Sequence, residues 1–359
     1  MTETPHWNSV AELCRAVPPL NAAAVEASRR RWDAVAKPLG SMGELEGLVT
    51  RICGITGTAD PIIDKRAVLV FCADNGVVAE GVTQSPQSVT ATVARSLARG
   101  SSSVCAMARV AGAQVIPVDI GMVSEVDEPG LLQRCVRRGT GNLAREAAMT
   151  RAEAEQAILT GAALVAECKA RGVQLLAAGE MGIGNTTSSA AVAAALLGLQ
   201  AELVVGRGAG LSDAGLERKR AAVERALHLH HPDPRDPLGV LSALGGLDIA
   251  AMVGVYLGGA ALGLPVLLDG FIAAAAALCA VRLCPALREH LLPSHCSGEA
   301  AGGLLMEALG LHPVIQAGLR LGEGTGAVAL LPLLDMALAV YRSAGSFADI
   351  GMEAYEKLS

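Results

Sequence analysis

Residues Ala67-Val68-Leu69-Val70-Phe71-Cys72-Ala73, followed by Asp74-Asn75-Gly76, give the first indication of the fold class of this chain. An apolar run without alternation of polar and apolar positions is typical of a strand covered on both faces, as in a parallel sheet. The acid and the glycine that end the run indicate a turn at the carboxyl end of the strand. We therefore predict a buried parallel strand at residues 67–73.

The same pattern recurs along the chain. Further apolar runs at residues 115–118, 173–178 and 265–268 end at Asp119, at Gly179-Glu180 and at Asp269-Gly270. Pro117 cannot donate a ladder hydrogen bond and so predicts an edge position for the second strand. Alanine-rich segments at 91–111, 151–171 and 190–197 predict intervening helices. Strands that alternate with helices predict an α/β fold with a doubly wound, mostly parallel, Rossmann-like sheet.

Four acids thus end predicted strands: Asp74, Asp119, Glu180 and Asp269. Ligands of doubly wound sheets bind outside the carboxyl ends of the strands, so we expect these side chains at one edge of the sheet. The alternative for each is a turn or helix-cap acid, and for Asp119 we prefer that alternative.

Two glycine-rich loops are candidates for binding an anion. One contains Gly182, Gly184, Asn185 and Thr186, and the other contains Gly206, Arg207 and Gly208. Each precedes a predicted helix, whose free N–H groups favour a phosphate. Neither loop has the spacing of a nucleotide triphosphate or dinucleotide motif, so a phosphate monoester fits best. Ordinary helix caps are the alternative. Residues Ser297 and Gly298 precede a further helix start and could add another anion-facing amide.

Glu323 is the strongest candidate for chemistry. It lies between glycines in Arg320-Leu321-Gly322-Glu323-Gly324-Thr325-Gly326. Because glycines do not crowd a neighbouring side chain, a flat substrate could approach this carboxylate closely. A helix-cap acid is the alternative.

Composition favours a small-molecule partner. Of the 359 residues, 52% are hydrophobic and 2% aromatic, which predicts a large core of small aliphatic side chains. The net charge of −6, without a basic run, argues against nucleic-acid binding. The 9 cysteines are widely spaced and indicate reduced thiols. We expect a cytoplasmic protein, because residues 1–19 carry charges and contain no apolar segment of signal-peptide length.

Two features have alternatives that we consider weaker. The uncharged stretch 249–268 has the length of a membrane span, but its glycines, Pro265 and acidic flanks favour a buried helix followed by a strand. The cluster His228, His230 and His231 precedes a proline-rich segment and predicts a surface loop rather than a metal site.

The two ends of the chain are predicted to be helical. Residues 7–56 form helices interrupted at 37–43, with Ser41 as a cap three residues before Glu44 and with Lys37 as a solvated loop charge. Residues 330–341 form an apolar helix, followed by a loop and a short helix that reaches residue 359. We expect the C-terminus to pack on the N-terminal helices. This divides the chain into 1–60 and 336–359, which form a small helical domain, and 61–335, the α/β catalytic domain.

Several of these motifs, in this order over nearly the whole chain, resemble those of the nicotinate-nucleotide–dimethylbenzimidazole phosphoribosyltransferase family. The matching segments are residues 37–41, 73–77, 81–83, 86–87, 89–90, 179–187, 205–208, 268–271 and 320–326. The resemblance implies transfer of the 5-phosphoribosyl group from nicotinate mononucleotide to 5,6-dimethylbenzimidazole, with inversion at the anomeric carbon, in cobalamin synthesis. It also implies a Rossmann-like sheet, a small helical domain built from both chain ends, and a homodimer.

The resemblance assigns roles to single residues. Glu323 matches the general base, Glu180 lies at the substrate pocket, Gln87 lies near the base pocket, and the glycine-rich loops hold the phosphate. We add Asp74, Asp269, Ser297, Gly298 and Leu321 as substrate-binding residues. The leaving pyridinium becomes neutral as it departs, so we expect neither a metal nor another cofactor.

Some positions depart from the family pattern. Asn75 stands where histidine is usual, Thr83 where serine is usual, and Asp248 where glutamate is frequent, and residues 101–103 are serines in place of glycine or alanine. These differences leave the acceptor open, because a different benzimidazole, a purine or a phenol could replace 5,6-dimethylbenzimidazole. A nucleotide-binding protein without catalysis is the second alternative.

Overall fold

The computed structural model describes residues 5–355. Its helices are α1 (Val10–Arg15), α2 (Ala22–Ala34), α3 (Glu44–Thr56), α4 (Ser88–Ala98), α5 (Ser103–Val110), α6 (Arg151–Ala170), α7 (Asn185–Leu197), α8 (Ala201–Val204), α9 (Asp213–His230), α10 (Pro237–Leu244), α11 (Leu247–Leu262), α12 (Phe271–Leu283), α13 (Gly302–Leu309) and α14 (Thr325–Ser343). Short 3₁₀ helices span Gly76–Glu80 and Pro285–His290. The strands are β1 (Arg66–Ala73), β2 (Ala113–Gly121), β3 (Leu132–Gln133), β4 (Leu175–Met181), β5 (Val266–Leu268) and β6 (Leu292–Pro293).

The strands form one parallel sheet in the order β3-β2-β1-β4-β5-β6. Strand β1 lies at the centre, where Leu69 pairs with Ile116 of β2 and with Ala178 of β4. Every residue of β1 is buried, as an apolar run without alternation requires. The predicted doubly wound α/β fold is confirmed. In such a sheet the strand order reverses between β1 and β4, and this is where a ligand crevice is expected.

Strand β2 differs from the prediction at Pro117. The edge position is wrong, because β3 pairs with β2 on the side away from β1. This pairing begins only at Val118, however, and Pro117 itself pairs with Val70 of β1. A residue without an N–H group is tolerated here because the outer side of β2 has no partner strand at that position.

The predicted helix at 91–111 consists of two helices. Helix α4 ends at Ala98, Gly100 has φ +72°, and Ser102 then caps α5 by accepting a hydrogen bond from the Cys105 N–H at 3.4 Å. A left-handed glycine followed by a serine cap ends one helix and starts another.

The two faces of the sheet carry separate apolar layers. In β1, Ala67, Leu69 and Phe71 pack with α6, α7, α11 and α12, whereas Val68 and Val70 pack with α3, α4, α5 and α14. Helices α6 and α11 lie unusually close together. A Cβ atom on Gly254 of α11 would overlap the carbonyl oxygen of Ile158 of α6. Two backbones in such contact leave space only for glycine.

The chain ends contact each other as predicted. Val35 and Ser346 form an antiparallel bridge, and the Phe347 N–H donates to the Ala34 carbonyl at 3.1 Å. The rings of Trp32 and Tyr341 lie 4.9 Å apart. Helix α14 continues through residue 335, and the predicted boundaries of the small domain stay a prediction. The last predicted helix falls partly on residues 356–359, outside the described residues, and residues 352–355 are not helical.

Two predictions around α3 are wrong. Ser41 does not cap this helix, because Gly43, with φ +56°, is the N-cap and offers no side chain. Lys37 is not a solvated charge, because its Nζ donates to Glu46 Oε1 at 2.6 Å and the two side chains are only 12% and 16% exposed. Glu46 lies in the first turn of α3, where its Oε1 also accepts from the Met42 N–H of the loop at 3.0 Å, and this brings the two charges together.

The stretch 249–268 is a buried helix followed by a strand, as predicted. Of the described helices, α14 alone has the length and apolarity of a membrane span, and its apolar side packs in the layer that contains α3 and α5. The loop prediction for His228 and His230 is wrong, since both lie in the last turn of α9 and His231 caps it. The His230 Nε2 atom lies 2.8 Å from the Leu143 carbonyl oxygen.

Candidate active site

A cleft opens beyond the carboxyl ends of β4, β5 and β6. It holds about 970 Å³ of open space, including solvent at its mouth. Its walls include most of the predicted site residues: Glu180, Gly182, Gly184, Asn185, Thr186, Arg207, Gly208, Asp269, Ser297 and Leu321. They also include Thr83, Gln84, Phe271, His295, Glu299 and Arg320, which were not among the predicted site residues. A cleft at the carboxyl ends of parallel strands, lined by apolar side chains and a few converging polar groups, is a typical small-molecule site.

One end of the cleft has the features of an anion site. Gly184 has φ +97° and precedes α7, so the N-terminus of that helix, with Asn185 and Thr186, lies at the cleft wall. Behind them lies Lys219 of α9, which is 1% exposed. Its Nζ donates to Thr186 Oγ1 at 2.8 Å and to the Gly206 carbonyl at 3.1 Å. Burial lowers the pKa of Lys219 to about 8, and the Glu299 carboxylate opposes this. An anion at Thr186 would favour the charged lysine.

Sequence reasoning missed Lys219 because it belongs to no glycine loop. It lies in the amphipathic helix α9, where a lysine is ordinarily exposed, and only tertiary packing turns it toward Thr186. Arg207, which was predicted, instead directs its guanidinium to Asp213 and to the Leu211 carbonyl, although the residue still lines the cleft.

Glu323 has an unusual backbone conformation. Its φ is +59°, and among residues 5–355 the only other non-glycine residue with positive φ is His231. Gly322 and Gly324 on either side have φ +91° and +83°. A glutamate in the left-handed region is strained, and such strain persists where the surrounding structure enforces it.

Hydrogen bonds from the sheet enforce this conformation. The Glu323 N–H donates to the Glu180 carbonyl at 3.1 Å. The Asp269 carboxylate accepts from the N–H groups of Gly324, Gly326 and Ala327 at 3.2, 2.8 and 3.0 Å. Asp269 therefore anchors the start of α14, and with it Glu323, to the end of β5.

The Glu323 side chain points toward the start of α5. Its Oε2 atom lies 3.4 Å from the Val104 N, and the Ser102 hydroxyl is near enough to favour the ionised carboxylate. Burial raises the pKa of Glu323, and these two donors oppose the rise. Glu323 itself does not line the open cleft, although Leu321 and Gly322 do. One of the serines that depart from the family pattern, Ser102, thus contacts the predicted base.

Glu180 lies on the cleft wall and is nearly buried, with 7% exposure. The Asn185 Nδ2 group donates to its Oε2 and also to Asp248 Oδ2, the latter at 2.8 Å. Burial, followed by the nearby Asp248 charge, raises the pKa of Glu180 to about 8. The Glu180 carboxyl is therefore mainly protonated at neutral pH.

The remaining predicted residues lie off the cleft wall, and their binding roles stay predictions. Asp74 is buried and accepts from the Val123 N–H at 2.8 Å, and Gln87 occupies the N-cap position of α4 without a capping hydrogen bond from its side chain. Gly206 lies behind the wall against Glu299, and the Gly298 N–H donates to the Leu319 carbonyl at 2.9 Å.

Asp119 is the turn acid that we preferred. Its Oδ1 accepts from the Met122 N–H at 2.9 Å, and its Oδ2 lies 2.7 Å from Arg138 Nη1. Of the positions that depart from the family pattern, Thr83 lines the cleft, whereas Asn75 is buried and accepts from the Ser188 hydroxyl at 3.0 Å.

Comparison with known proteins agrees with this geometry. A family model described as phosphoribosyltransferase matches residues 17–352. The nicotinate-nucleotide–dimethylbenzimidazole phosphoribosyltransferase of Acetivibrio thermocellus is 47% identical over 328 residues, which cover 91% of this chain and 93% of that protein. The protein of the same name from Ruminiclostridium cellulolyticum is 43% identical over 347 residues, covering 97% and 99%.

A solved structure supports the same assignment. The crystal structure of the corresponding enzyme from Thermus thermophilus superimposes with a TM-score of 0.87 at 44% identity, covering 94% of this chain and 100% of that one. The chain that carries this fold, this cleft and the glycine-flanked Glu323 is thus similar to these enzymes over more than nine-tenths of its length. This chain belongs to the nicotinate-nucleotide–dimethylbenzimidazole phosphoribosyltransferase family.

Proposed function

We propose that this protein transfers the 5-phosphoribosyl group of nicotinate mononucleotide to 5,6-dimethylbenzimidazole, giving α-ribazole 5′-phosphate and nicotinate. The names of its relatives support both substrates. The proposal depends on one structural observation: the Glu323 carboxylate is held by a strained backbone beside a cleft, and the opposite wall of that cleft suits a phosphate.

The reaction requires a base at one position. One benzimidazole nitrogen attacks C1′ of the ribose, and the bond from C1′ to the pyridine nitrogen breaks. The bonding electron pair returns to the pyridine ring, which leaves as neutral-ring nicotinate. The proton on the second benzimidazole nitrogen must then be removed, and a carboxylate within hydrogen-bond reach can accept it.

Glu323 suits this role better than Glu180 does. A base must be ionised before the reaction, and Glu180, with a pKa of about 8, already carries a proton at neutral pH. The pKa of Glu323 is raised by burial, but its contacts with the Val104 N–H and the Ser102 hydroxyl favour the ionised form. A moderately raised pKa strengthens a carboxylate as a base while it stays charged.

The phosphate of the donor would lie at the start of α7. Thr186 and Gly208 face the cleft there, and a Cβ atom on Gly208 would lie 3.4 Å from Lys219 Nζ. Lys219 therefore lies close enough to add a positive charge to the N–H groups of the helix.

Replacing Lys219 by methionine is expected to weaken nicotinate mononucleotide binding by about ten- to a hundredfold, the range for a lost hydrogen bond to a charged group. Calorimetry on the wild type and the variant measures this. Nicotinate riboside, which lacks the phosphate, provides the control, and its affinity is expected to change little. An equal loss for both ligands would show that Lys219 supports the fold of the cleft rather than the phosphate.

We also propose a homodimer in the cytoplasm. The homodimer rests on the family resemblance. The location is supported by the cysteines, all of which lie within the described residues and carry free thiols, as is usual in a reducing compartment.

An assay that offers both substrates and separates nicotinate from α-ribazole 5′-phosphate tests the reaction directly. Formation of both products in equal amounts is expected. Tight nucleotide binding without release of nicotinate would instead support the non-catalytic alternative. Competition between equal concentrations of benzimidazoles, adenine and phenol then identifies the preferred acceptor.

A further inference from the structure

Two buried carboxyl groups beside the cleft share a single amide. Asn185, the first residue of α7, directs its Nδ2 group to Glu180 Oε2 at the end of β4 and to Asp248 Oδ2 in the first turn of α11. Asp248 is fully buried. One amide nitrogen therefore links two acids that come from separate elements of the fold.

The position of Asp248 is tightly constrained. A Cβ atom on Gly182 would lie 2.7 Å from its Oδ2, and one on Gly246 would overlap its Oδ1. Oδ1 also accepts from the Ile249 N–H at 3.0 Å. The carboxyl group is thus held between two glycines, with one oxygen toward the helix and the other toward Asn185.

No cation in the described part of the chain neutralises the pair. Among the ion pairs of residues 5–355, none includes Glu180 or Asp248. The other charged groups that face them are acids: Asp269 and Glu323 near Glu180, and Asp74 near Asp248. Two carboxylates in such an environment cannot both ionise easily, so one of them keeps a proton.

The hydrogen bonds indicate which acid keeps it. Asp248 accepts a backbone N–H at the start of α11, where the helix dipole also favours a negative charge. Within residues 5–355, the Glu180 carboxyl accepts only from Asn185. Asp248 therefore holds the charge and Glu180 the proton. The pKa of Asp248, about 6, lies below that of Glu180, about 8, in agreement with this assignment.

We propose that Asp248 is a positioning residue: Asn185 links it to Glu180, and the negative charge of Asp248 keeps the Glu180 carboxyl protonated, so that Glu180 faces the donor nucleotide as a neutral hydrogen-bond donor. The inference rests on the proposed function. Nicotinate mononucleotide brings a phosphate and a ring carboxylate into the cleft, and an ionised Glu180 on its wall would repel both. A protonated carboxyl removes this repulsion and can donate to an anionic oxygen.

Infrared difference spectroscopy on the full-length protein tests the proposal without any substrate. The spectrum of Glu180→Gln is subtracted from that of the wild type at each pH of a titration, and the difference isolates the band of the Glu180 carboxyl. At pH 7 we expect the carbonyl stretch of a protonated acid, which disappears with a midpoint of about 8. A carboxylate band for Glu180 at pH 7 in the wild type would overturn the proposal.

Variants of Asp248 then test its role. Asp248→Asn and Asp248→Ser both remove the charge, and the serine hydroxyl can still accept from the Ile249 N–H. If one of these variants does not fold, the other can be measured in its place. Both are expected to shift the midpoint of Glu180 downward by about 1 pH unit or more, since a like charge is removed. Asp248→Glu keeps the charge and should restore a midpoint near the wild-type value. An unchanged midpoint in both neutral variants would contradict the role of Asp248.

Kinetics separate this inference from the proposed function. If the protein transfers phosphoribosyl groups, Asp248→Asn should raise the KM for nicotinate mononucleotide at pH 7 more than it lowers kcat, and the defect should diminish at lower pH, where Glu180 regains its proton. If the infrared band of protonated Glu180 appeared but no phosphoribosyl transfer occurred, the proposed function would be wrong, whereas the proposed protonation of Glu180 would still be supported.

Discussion

Replacing Glu323 by glutamine is expected to slow phosphoribosyl transfer by about 10²–10⁴-fold, the usual contribution of a general base. Glutamine has the shape of glutamate but cannot accept the benzimidazole proton. Because the base acts in the chemical step, we expect the loss in kcat, with little change in the KM for nicotinate mononucleotide. Steady-state assays at saturating acceptor measure both constants.

The pH profile adds a second readout. The wild-type rate should fall as pH falls through the pKa of Glu323, because the protonated acid cannot act as a base. Burial moves that pKa above its ordinary value, so the loss begins at a higher pH than for an exposed glutamate. In Glu323→Gln this acidic limb should disappear.

Glu180→Gln is the matched control. Since Glu180 is mainly protonated at neutral pH, glutamine replaces a neutral group with a neutral group, and we expect a much smaller loss than in Glu323→Gln. A larger loss for Glu180→Gln, together with near-normal kcat for Glu323→Gln, would assign the base to Glu180 instead.

Replacing Gly254 by alanine is expected to destabilise the protein by about 3 kcal/mol, at the upper end of the usual range for overpacking. The added Cβ would overlap the Ile158 carbonyl oxygen, so α11 and α6 must separate or shift. Both helices cover the same face of the sheet as α7, and their separation would expose much of that apolar layer. Urea denaturation of both proteins, fitted with a common slope, measures the change in the free energy of unfolding.

Gly303→Ala provides the control for the same substitution in a helix. Gly303 lies in α13, its added Cβ would meet no atom within 4 Å, and the position is exposed. Here alanine should stabilise the protein by about 0.5–1 kcal/mol, because glycine loses more conformational freedom on folding. Equal effects at Gly254 and Gly303 would show that the close contact of α6 and α11 does not limit stability.

The sequence predicted the central strands because their pattern is local. The run at 67–73 needs both faces covered, and its length and composition alone indicate a buried parallel strand. Strands β3 and β6 have two residues each, too few for any pattern to emerge. The edge position predicted from Pro117 failed for a related reason, since it depends on a neighbouring strand that the sequence does not reveal.

The site residues, too, could be predicted from the sequence only where their pattern is local. Glu323 could be found because its glycines are sequence neighbours, and the structure explains them by the positive φ angles of residues 322–324. Lys219 and Asp248 could not be assigned, because their surroundings come from distant parts of the chain: Thr186 and Gly206 for Lys219, Asn185 for Asp248. A buried lysine or aspartate has no local pattern that distinguishes it from an exposed one.

A crystal structure of Glu323→Gln with nicotinate mononucleotide and 5,6-dimethylbenzimidazole bound tests the central claim most directly, since the slow variant should hold both substrates unreacted. The account predicts one acceptor nitrogen facing C1′ of the ribose and the other within about 2.6–3.2 Å of the side chain at position 323, the reach of a general base. It also predicts the donor phosphate at the start of α7, beside Thr186. An acceptor whose second nitrogen contacts Glu180, with residue 323 out of reach, would contradict it.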